Sequence, residues 1–124
     1  MSYKIALTSS DDKNIDWHFG EAKYFLVVQV DESTGNYQVL EKRTFGQYSE
    51  SISNHCHDGE FLKNLSELID DCVYLLTAKI GNHPHRVLQD RNVTCIEAPF
   101  LIAEAIPKIN DYYLSHKERE NHAF

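Results

Sequence analysis

The segment that decides the fold begins with Lys4-Ile5-Ala6-Leu7-Thr8 and continues, after a polar loop, with Tyr24-Phe25-Leu26-Val27-Val28. Both runs are short and almost entirely apolar, which is typical of strands that are buried on both faces of a sheet. We therefore predict strands over 3–9 and 23–31. The loop between them displays His18-Phe19-Gly20.

The remaining elements follow from turn residues and from the spacing of apolar residues. The turn cluster at 31–36 predicts that 37–45 returns as an antiparallel strand, and charges at Glu41, Lys42 and Arg43 indicate a sheet edge. Apolar residues at helical spacing predict a helix over 59–70. A strand at 72–77, a helix at about 83–91, a strand at 93–96, a last helix from about 100 and a fraying polar tail at 117–124 complete the pattern.

This order of elements predicts a mixed α/β sheet. Right-handed crossovers place the fourth and fifth strands parallel to the first, whereas the second strand runs antiparallel to it. The expected strand order is 3-2-1-4-5, with helices on both faces of the sheet. That architecture is ribonuclease-H-like, and we expect residues 1–116 to form a single domain.

Composition restricts the classes of function. Twelve Lys and Arg residues against nineteen Asp and Glu residues give a formal charge of -7, which disfavours binding to nucleic acid or to anionic membranes. No apolar run is long enough to span a bilayer, and the first residues lack the pattern of a signal peptide. The sequence has three cysteines, an odd number, and their spacing matches no disulfide framework, which argues against a disulfide-stabilised secreted scaffold. We expect a cytoplasmic protein.

The predicted topology brings most of the histidines to one edge of the sheet. The loops that follow the first, third and fourth strands all lie at this edge, where open α/β sheets bind ligands. These loops carry five of the seven histidines and one cysteine, namely His18, His55, Cys56, His57, His83 and His85. Imidazole and thiolate are suitable ligands for iron, zinc, nickel or copper. The sequence therefore indicates a metal-binding edge.

Two arrangements are open for the loop that contains Cys56. His55 and His57 point in the same direction if the loop is extended, so they could share a metal ion while Cys56 points elsewhere. Alternatively, Cys56 supplies a thiolate to an iron site, and the flanking histidines tune that site through outer hydrogen bonds. The spacing matches no standard zinc signature.

The segment after the fourth strand has the features of an anion site. We expect Gly81 to allow a sharp turn off the strand and Asn82 to cap the next helix. The start of that helix would then present N–H groups and the positive end of its dipole to the site. Lys79 and Arg86 add positive charge nearby.

The other cysteines and histidines have simpler interpretations. Cys72 and Cys95 fall within predicted strands, and we assign both to the core because free cysteine commonly behaves as a small buried apolar residue. His116 and His122 lie at or beyond the expected end of the last helix, where we do not expect metal ligation.

Several short motifs occur in a characteristic order along about residues 3 to 110. They are the opening through Phe19-Gly20, then His57-Asp58-Gly59, Asp71-Cys72-Val73-Tyr74-Leu75-Leu76, and Ile80-Gly81-Asn82-His83-Pro84. This order resembles the dinitrogenase iron–molybdenum cofactor biosynthesis family, in its NifX type and in the carboxyl-terminal part of its NifB type. The resemblance implies a ribonuclease-H-like fold and a non-catalytic carrier of a metal–sulfur cofactor. The CxxxCxxC motif of the radical-SAM half of the NifB type is absent from the sequence given.

The resemblance also assigns roles to particular residues. In the family, the histidine of the His-Phe-Gly motif is implicated in holding the cluster, which points to His18. The leading hypothesis is a carrier of an iron–molybdenum cofactor, or of its iron–sulfur precursor, that serves nitrogenase cofactor assembly. Its partners would be cofactor-assembly proteins or apo-dinitrogenase. The candidate ligands are His18, Cys56 and His57, with His55, His83 and His85 as secondary ligands and Lys79, Gly81 and Arg86 as further cofactor contacts.

Three alternatives differ in class. The runner-up is a mononuclear metal-binding or metal-sensing module that uses His55, His57, His83 and His85. A two-metal nuclease is disfavoured because the first strand contains no carboxylate. A hydrolase based on Cys56 and His57 is disfavoured because neighbouring residues in an extended loop point apart.

Overall fold

The structure, a computed structural model, describes residues 1–44 and 59–122. Its strands are β1 (Ser2–Leu7), β2 (Tyr24–Asp31), β3 (Tyr37–Thr44), β4 (Tyr74–Thr77) and β5 (Thr94–Glu97). Its α-helices are α1 (Gly59–Leu68), α2 (Asn82–Asp90) and α3 (Ile102–His122), and a 3₁₀ turn covers Phe19–Glu21. Within these described ranges, no helix is both long and apolar enough to cross a membrane.

The strands form one mixed sheet in the order β3-β2-β1-β4-β5, which confirms the predicted topology. β2 is antiparallel to β1 and to β3, whereas β4 is parallel to both β1 and β5. In the centre of the sheet, Leu7 lies opposite Leu26 of β2 and Leu76 of β4. β3 is at the edge, as its charged residues indicate, and its residues 38–42 are exposed.

Apolar residues cover both faces of the sheet, and each face packs against different helices. On one face, α3 contributes Ile102, Ala105, Ile106 and Ile109 to a cluster with Ile5, Leu7, Leu26, Val28 and Leu76. On the other face, α1 and α2 contribute Leu62, Leu65 and Leu88 to a cluster with Ala6, Phe25 and Leu75. This alternation along β1 and β2 explains why their sequences are apolar without interruption. Helices on both faces confirm the predicted layers.

The last helix is longer than the sequence pattern indicates. α3 extends to His122, so that both His116 and the first part of the predicted tail lie within it. α3 is held to the sheet by Asn110, whose side chain accepts a hydrogen bond from the Tyr3 hydroxyl at 2.9 Å and donates one to the carbonyl oxygen of Glu32 at 3.1 Å. These two bonds join the helix to β1 and to the turn before β3.

Candidate functional site

The loop that carries His18 is bonded directly to the chain that leaves β4. The backbone N–H of Phe19 donates to the carbonyl oxygen of Lys79 at 2.7 Å, and the N–H of Ala78 donates to the carbonyl oxygen of Trp17 at 3.1 Å. His18 therefore lies between two residues that are tied to the end of β4. This position is at the carboxyl edge of the parallel strands, where the topology predicted it.

The three residues of the segment 17–19 have different surroundings. Phe19 is 1% exposed and packs into the cluster formed with α1 and α2. Trp17 is partly buried, and its ring meets the ring of Tyr24 edge-on with centroids 5.0 Å apart. The His18 side chain, in contrast, is 58% exposed. The His-Phe-Gly motif thus consists of an aromatic anchor in the core and an imidazole that is presented to solvent.

Glu21 is a site residue that the sequence interpretation missed. Its carboxylate oxygen Oε1 accepts a hydrogen bond from the backbone N–H of His18 at 3.0 Å, and the same oxygen is 3.8 Å from His18 Nδ1. The signal was available in the sequence, because a Glu three residues after an N-cap residue is half of a capping box. Glu21 folds back over His18 and limits the positions that the loop can adopt.

The first half of the same loop is attached to the segment that precedes α3. The N–H of Ile15 donates to the carbonyl oxygen of Phe100 at 2.9 Å, and the N–H of Ile102 donates to that of Lys13 at 2.8 Å. Ile15 is 2% exposed and belongs to the cluster under α3. Because both halves of the loop are anchored, His18 is carried by a structured segment.

The residues at the start of α2 lie at the same edge of the sheet. Lys79, Gly81, His83 and Arg86 are exposed, and His85 is partly buried. The helix begins with Asn82, so its first N–H groups are at this edge. Beside this segment, the Glu97 carboxylate accepts a hydrogen bond from the N–H of Ile80 at 3.3 Å.

Two predictions about the start of α2 are wrong. The N-cap is Gly81, and Asn82 is the first helical residue. Pro84 therefore lies in the first turn of the helix, where its missing N–H is not required. Gly81 has φ -71° and ψ 161°, which any residue adopts, and an added Cβ would meet Pro84 only at 3.7 Å. The chain therefore leaves β4 without the special conformational freedom of glycine.

Cys72 and Cys95 are half-buried at the margin of the cluster under α1 and α2 rather than fully inside it. Cys95 lies in β5 as predicted, but Cys72 precedes β4, which starts at Tyr74. Burial raises the pKa of each thiol to about 12. This burial favours the neutral thiol form of both residues.

The remaining candidate ligands, His55, Cys56 and His57, lie outside the described residues. Within 1–44 and 59–122, no group of three or more His, Cys, Asp or Glu side chains is arranged to hold a metal ion. Of the histidines predicted to converge, the described structure brings His18 beside the end of β4 and places His83 and His85 in the first turn of α2.

Comparison with known proteins gives consistent matches in sequence and fold. The family model described as dinitrogenase iron-molybdenum cofactor matches residues 1–112. The FeMo cofactor biosynthesis protein NifB of Frankia alni is 25% identical over 105 residues, which are 85% of this chain but only 20% of that protein. The chain therefore spans about one fifth of that relative's length.

Two solved structures share the fold. The crystal structure of PH0822 has a TM-score of 0.58 and 21% identity, over 87% of this chain and 88% of that one. The structure of mj0327 from Methanocaldococcus jannaschii has a TM-score of 0.55 and 16% identity, over 90% of each chain. With a family model that covers residues 1–112, the chain belongs to the dinitrogenase iron–molybdenum cofactor family.

Proposed function

We propose that this protein is a non-catalytic carrier that binds an iron–molybdenum cofactor, or its iron–sulfur precursor, during nitrogenase cofactor assembly. The observation that carries the proposal is the position of His18. Its imidazole is 58% exposed at the carboxyl edge of the sheet, while the residues on both sides of it are bonded to the end of β4. Membership of the family supplies the chemical class of the cargo.

The arrangement suits a cargo that must be released again. A single imidazole on an anchored loop can occupy one coordination position of an iron atom and leaves the rest of the cluster accessible to an acceptor. Cys56 and His57 are proposed as additional ligands from the loop after β3. This set of few ligands differs from the closed sites of four protein ligands that hold structural metals permanently.

Positive groups at the start of α2 are proposed to compensate the negative charge of the cluster. Lys79 and Arg86 are exposed, and the first N–H groups of α2 together with the helix dipole favour an anion at this end. Gly81, the N-cap residue, has no side chain that would separate a cluster from these groups. The delivery partners are proposed to be cofactor-assembly proteins or apo-dinitrogenase in the cytoplasm.

The test compares two histidine variants under anaerobic conditions. Isolated iron–molybdenum cofactor is added to the unchanged protein, to His18→Ala and to His116→Ala, and bound iron, molybdenum and acid-labile sulfide are measured after gel filtration. We expect His18→Ala to weaken retention by about tenfold or more, because it removes a direct ligand. His116 is the matched control, since it is an exposed histidine about 20 Å along α3 from the start of that helix.

Retention of the cofactor by His18→Ala at the level of the unchanged protein would overturn the assignment of His18. If the protein purified anaerobically instead holds zinc, nickel or copper without sulfide, the mononuclear metal-binding module becomes the better description. Circular dichroism and thermal unfolding of each variant check that the fold is intact.

A further inference from the structure

We infer that Thr8 and Thr77 are positioning residues that hold the peptide group in front of His18 and thereby set the geometry of cofactor binding. The inference rests on the proposed function, because it concerns how the His18 loop presents its ligand. It assigns a role in the site to two buried hydroxyl groups that do not reach the surface themselves.

The two hydroxyl groups converge on one carbonyl oxygen. Thr8 Oγ1 donates to the Trp17 carbonyl oxygen at 2.8 Å, and Thr77 Oγ1 donates to the same oxygen at 3.1 Å. The two hydroxyl oxygens are 3.1 Å apart, and the N–H of Ala78 is a third donor to Trp17 at 3.1 Å. Three donors from the ends of two adjacent parallel strands therefore fix a single loop carbonyl.

The peptide group between Trp17 and His18 is held at both of its polar atoms. Its carbonyl oxygen accepts the three hydrogen bonds from Thr8 after β1, from Thr77 of β4 and from Ala78 after β4, and its N–H donates to the Glu21 carboxylate at 3.0 Å. Because a peptide group is planar, fixing both atoms fixes the orientation of the plane and with it the direction in which the Cα of His18 leaves.

The burial of these threonines argues for a specific role. Both are 0% exposed, and a buried hydroxyl lowers stability unless it is hydrogen-bonded. Valine has nearly the same shape as threonine and would suit a buried strand position without any polar requirement. The Thr77 hydroxyl also lies 3.3 Å from the carbonyl oxygen of Lys79. Trp17 and Lys79, which the two threonine hydroxyl groups contact outside the strands, both belong to the loops that form the site.

The test separates positioning of the loop from general stability. Affinity for isolated iron–molybdenum cofactor is measured under anaerobic conditions from the fluorescence of Trp17, the chain's single tryptophan, for the unchanged protein, Thr77→Val, Thr77→Ser and Thr8→Val. Thermal unfolding and the electron paramagnetic resonance spectrum of the bound cofactor are recorded in parallel. Tyr3→Phe is the matched control, since it removes another buried hydroxyl bond, to Asn110 at 2.9 Å, from the opposite end of the sheet.

We expect Thr77→Val and Thr8→Val each to weaken cofactor binding about five-fold and to alter the cofactor spectrum, while Thr77→Ser stays within about two-fold of the unchanged protein. Tyr3→Phe should lose a comparable amount of thermal stability without a change in affinity or spectrum. The inference would be overturned if the two valine variants weaken cofactor binding no more than Tyr3→Phe does. It would also be overturned if Thr77→Ser weakens binding as much as Thr77→Val.

The His18→Ala variant distinguishes the two possible failures. If His18→Ala weakens binding but the threonine variants do not, the carrier proposal stands and the positioning role is wrong. If His18→Ala and the unchanged protein bind equally well, the assignment of His18 is overturned, and the positioning role fails with it. If neither binds the cofactor, the carrier proposal is overturned as well.

Discussion

At the scale of single residues, Asp71 joins two strands through its carboxylate. Arg43 of β3 forms two parallel contacts with it, at 2.6 and 2.9 Å, and Lys4 of β1 approaches to 3.1 Å. Arg43 also donates to the carbonyl oxygen of Leu68 at 2.9 Å and so caps the end of α1. The hydrogen bond from Arg43, with Lys4 and the Coulombic attraction adding to it, lowers the pKa of Asp71 below its ordinary range.

This lowered pKa predicts an acid-dependent loss of stability. Because the folded state favours the ionised carboxylate, the contribution of Asp71 is complete above its unfolded pKa of about 3.9 and is lost as the pH falls towards the lower folded value. We expect Asp71→Asn to lower the free energy of unfolding by about 1 kcal/mol at pH 7, after allowance for the partial exposure of the pair. Urea unfolding between pH 7 and pH 3 should show this difference shrinking.

The Arg43→Gln background provides the control for that measurement. If Arg43 causes the shift, Asp71→Asn should have a much smaller effect in this background, and the two substitutions should not be additive. A difference between Asp and Asn that is independent of pH in both backgrounds would contradict the assignment.

At the scale of elements, the turn that joins β2 and β3 depends on a single left-handed residue. Gly35 has a φ of +77°, and its N–H donates to the carbonyl oxygen of Asp31 at 2.8 Å. The Asp31 carboxylate accepts hydrogen bonds from the backbone and side chain of Ser33, which lowers its pKa. Since Asn110 of α3 reaches the same turn at Glu32, the turn helps to seat the last helix as well as the edge strand.

Gly35→Ala should therefore destabilise the protein by about 1 kcal/mol, because an L side chain is strained at this φ. Thermal unfolding checks the effect. Gly81→Ala is the matched control, since Gly81 has a φ of -71° and its added Cβ would meet Pro84 only at 3.7 Å. Equal losses of stability at the two glycines would show that the conformation of Gly35 is not the cause.

At the scale of the whole molecule, the net charge of the protein and the exposed cations at the start of α2 have opposite signs. The chain carries a formal charge of -7, which repels an anionic cluster at long range. Lys79 and Arg86 are exposed near the start of α2, where the helix dipole has the same sign as their charges. We expect these groups to determine whether an anion can approach His18.

Replacing both Lys79 and Arg86 by Gln should weaken binding of isolated iron–molybdenum cofactor about five- to ten-fold at low ionic strength. The difference from the unchanged protein should decrease as salt is added, because salt screens exposed charges. Arg91→Gln is the control, since it removes one exposed cation at the other end of α2. An unchanged affinity or an unchanged salt dependence would contradict a role for the two cations.

The sequence by itself determined the order of the elements, the strand order and the edge at which His18 lies. These features depend on local periodicity and on the handedness of crossovers, which apolar runs such as those of β1 and β2 reveal without knowledge of distant contacts. The same reasoning placed Lys79, His83, His85 and Arg86 near the end of β4. The assignment of Asn82 as a cap failed because helix boundaries are the least certain part of such patterns.

Only the tertiary structure decided which side chains meet at the site and beneath it. Thr8 meets Thr77 and the carbonyl of Trp17, and Arg43 meets Asp71, across separations of up to 69 positions in the chain. Such contacts depend on the register between strands and on the path of loops, which no local pattern specifies. The exposed His18 was visible as a motif, but the buried hydroxyl groups that orient it were indistinguishable from ordinary strand residues until the strands were paired.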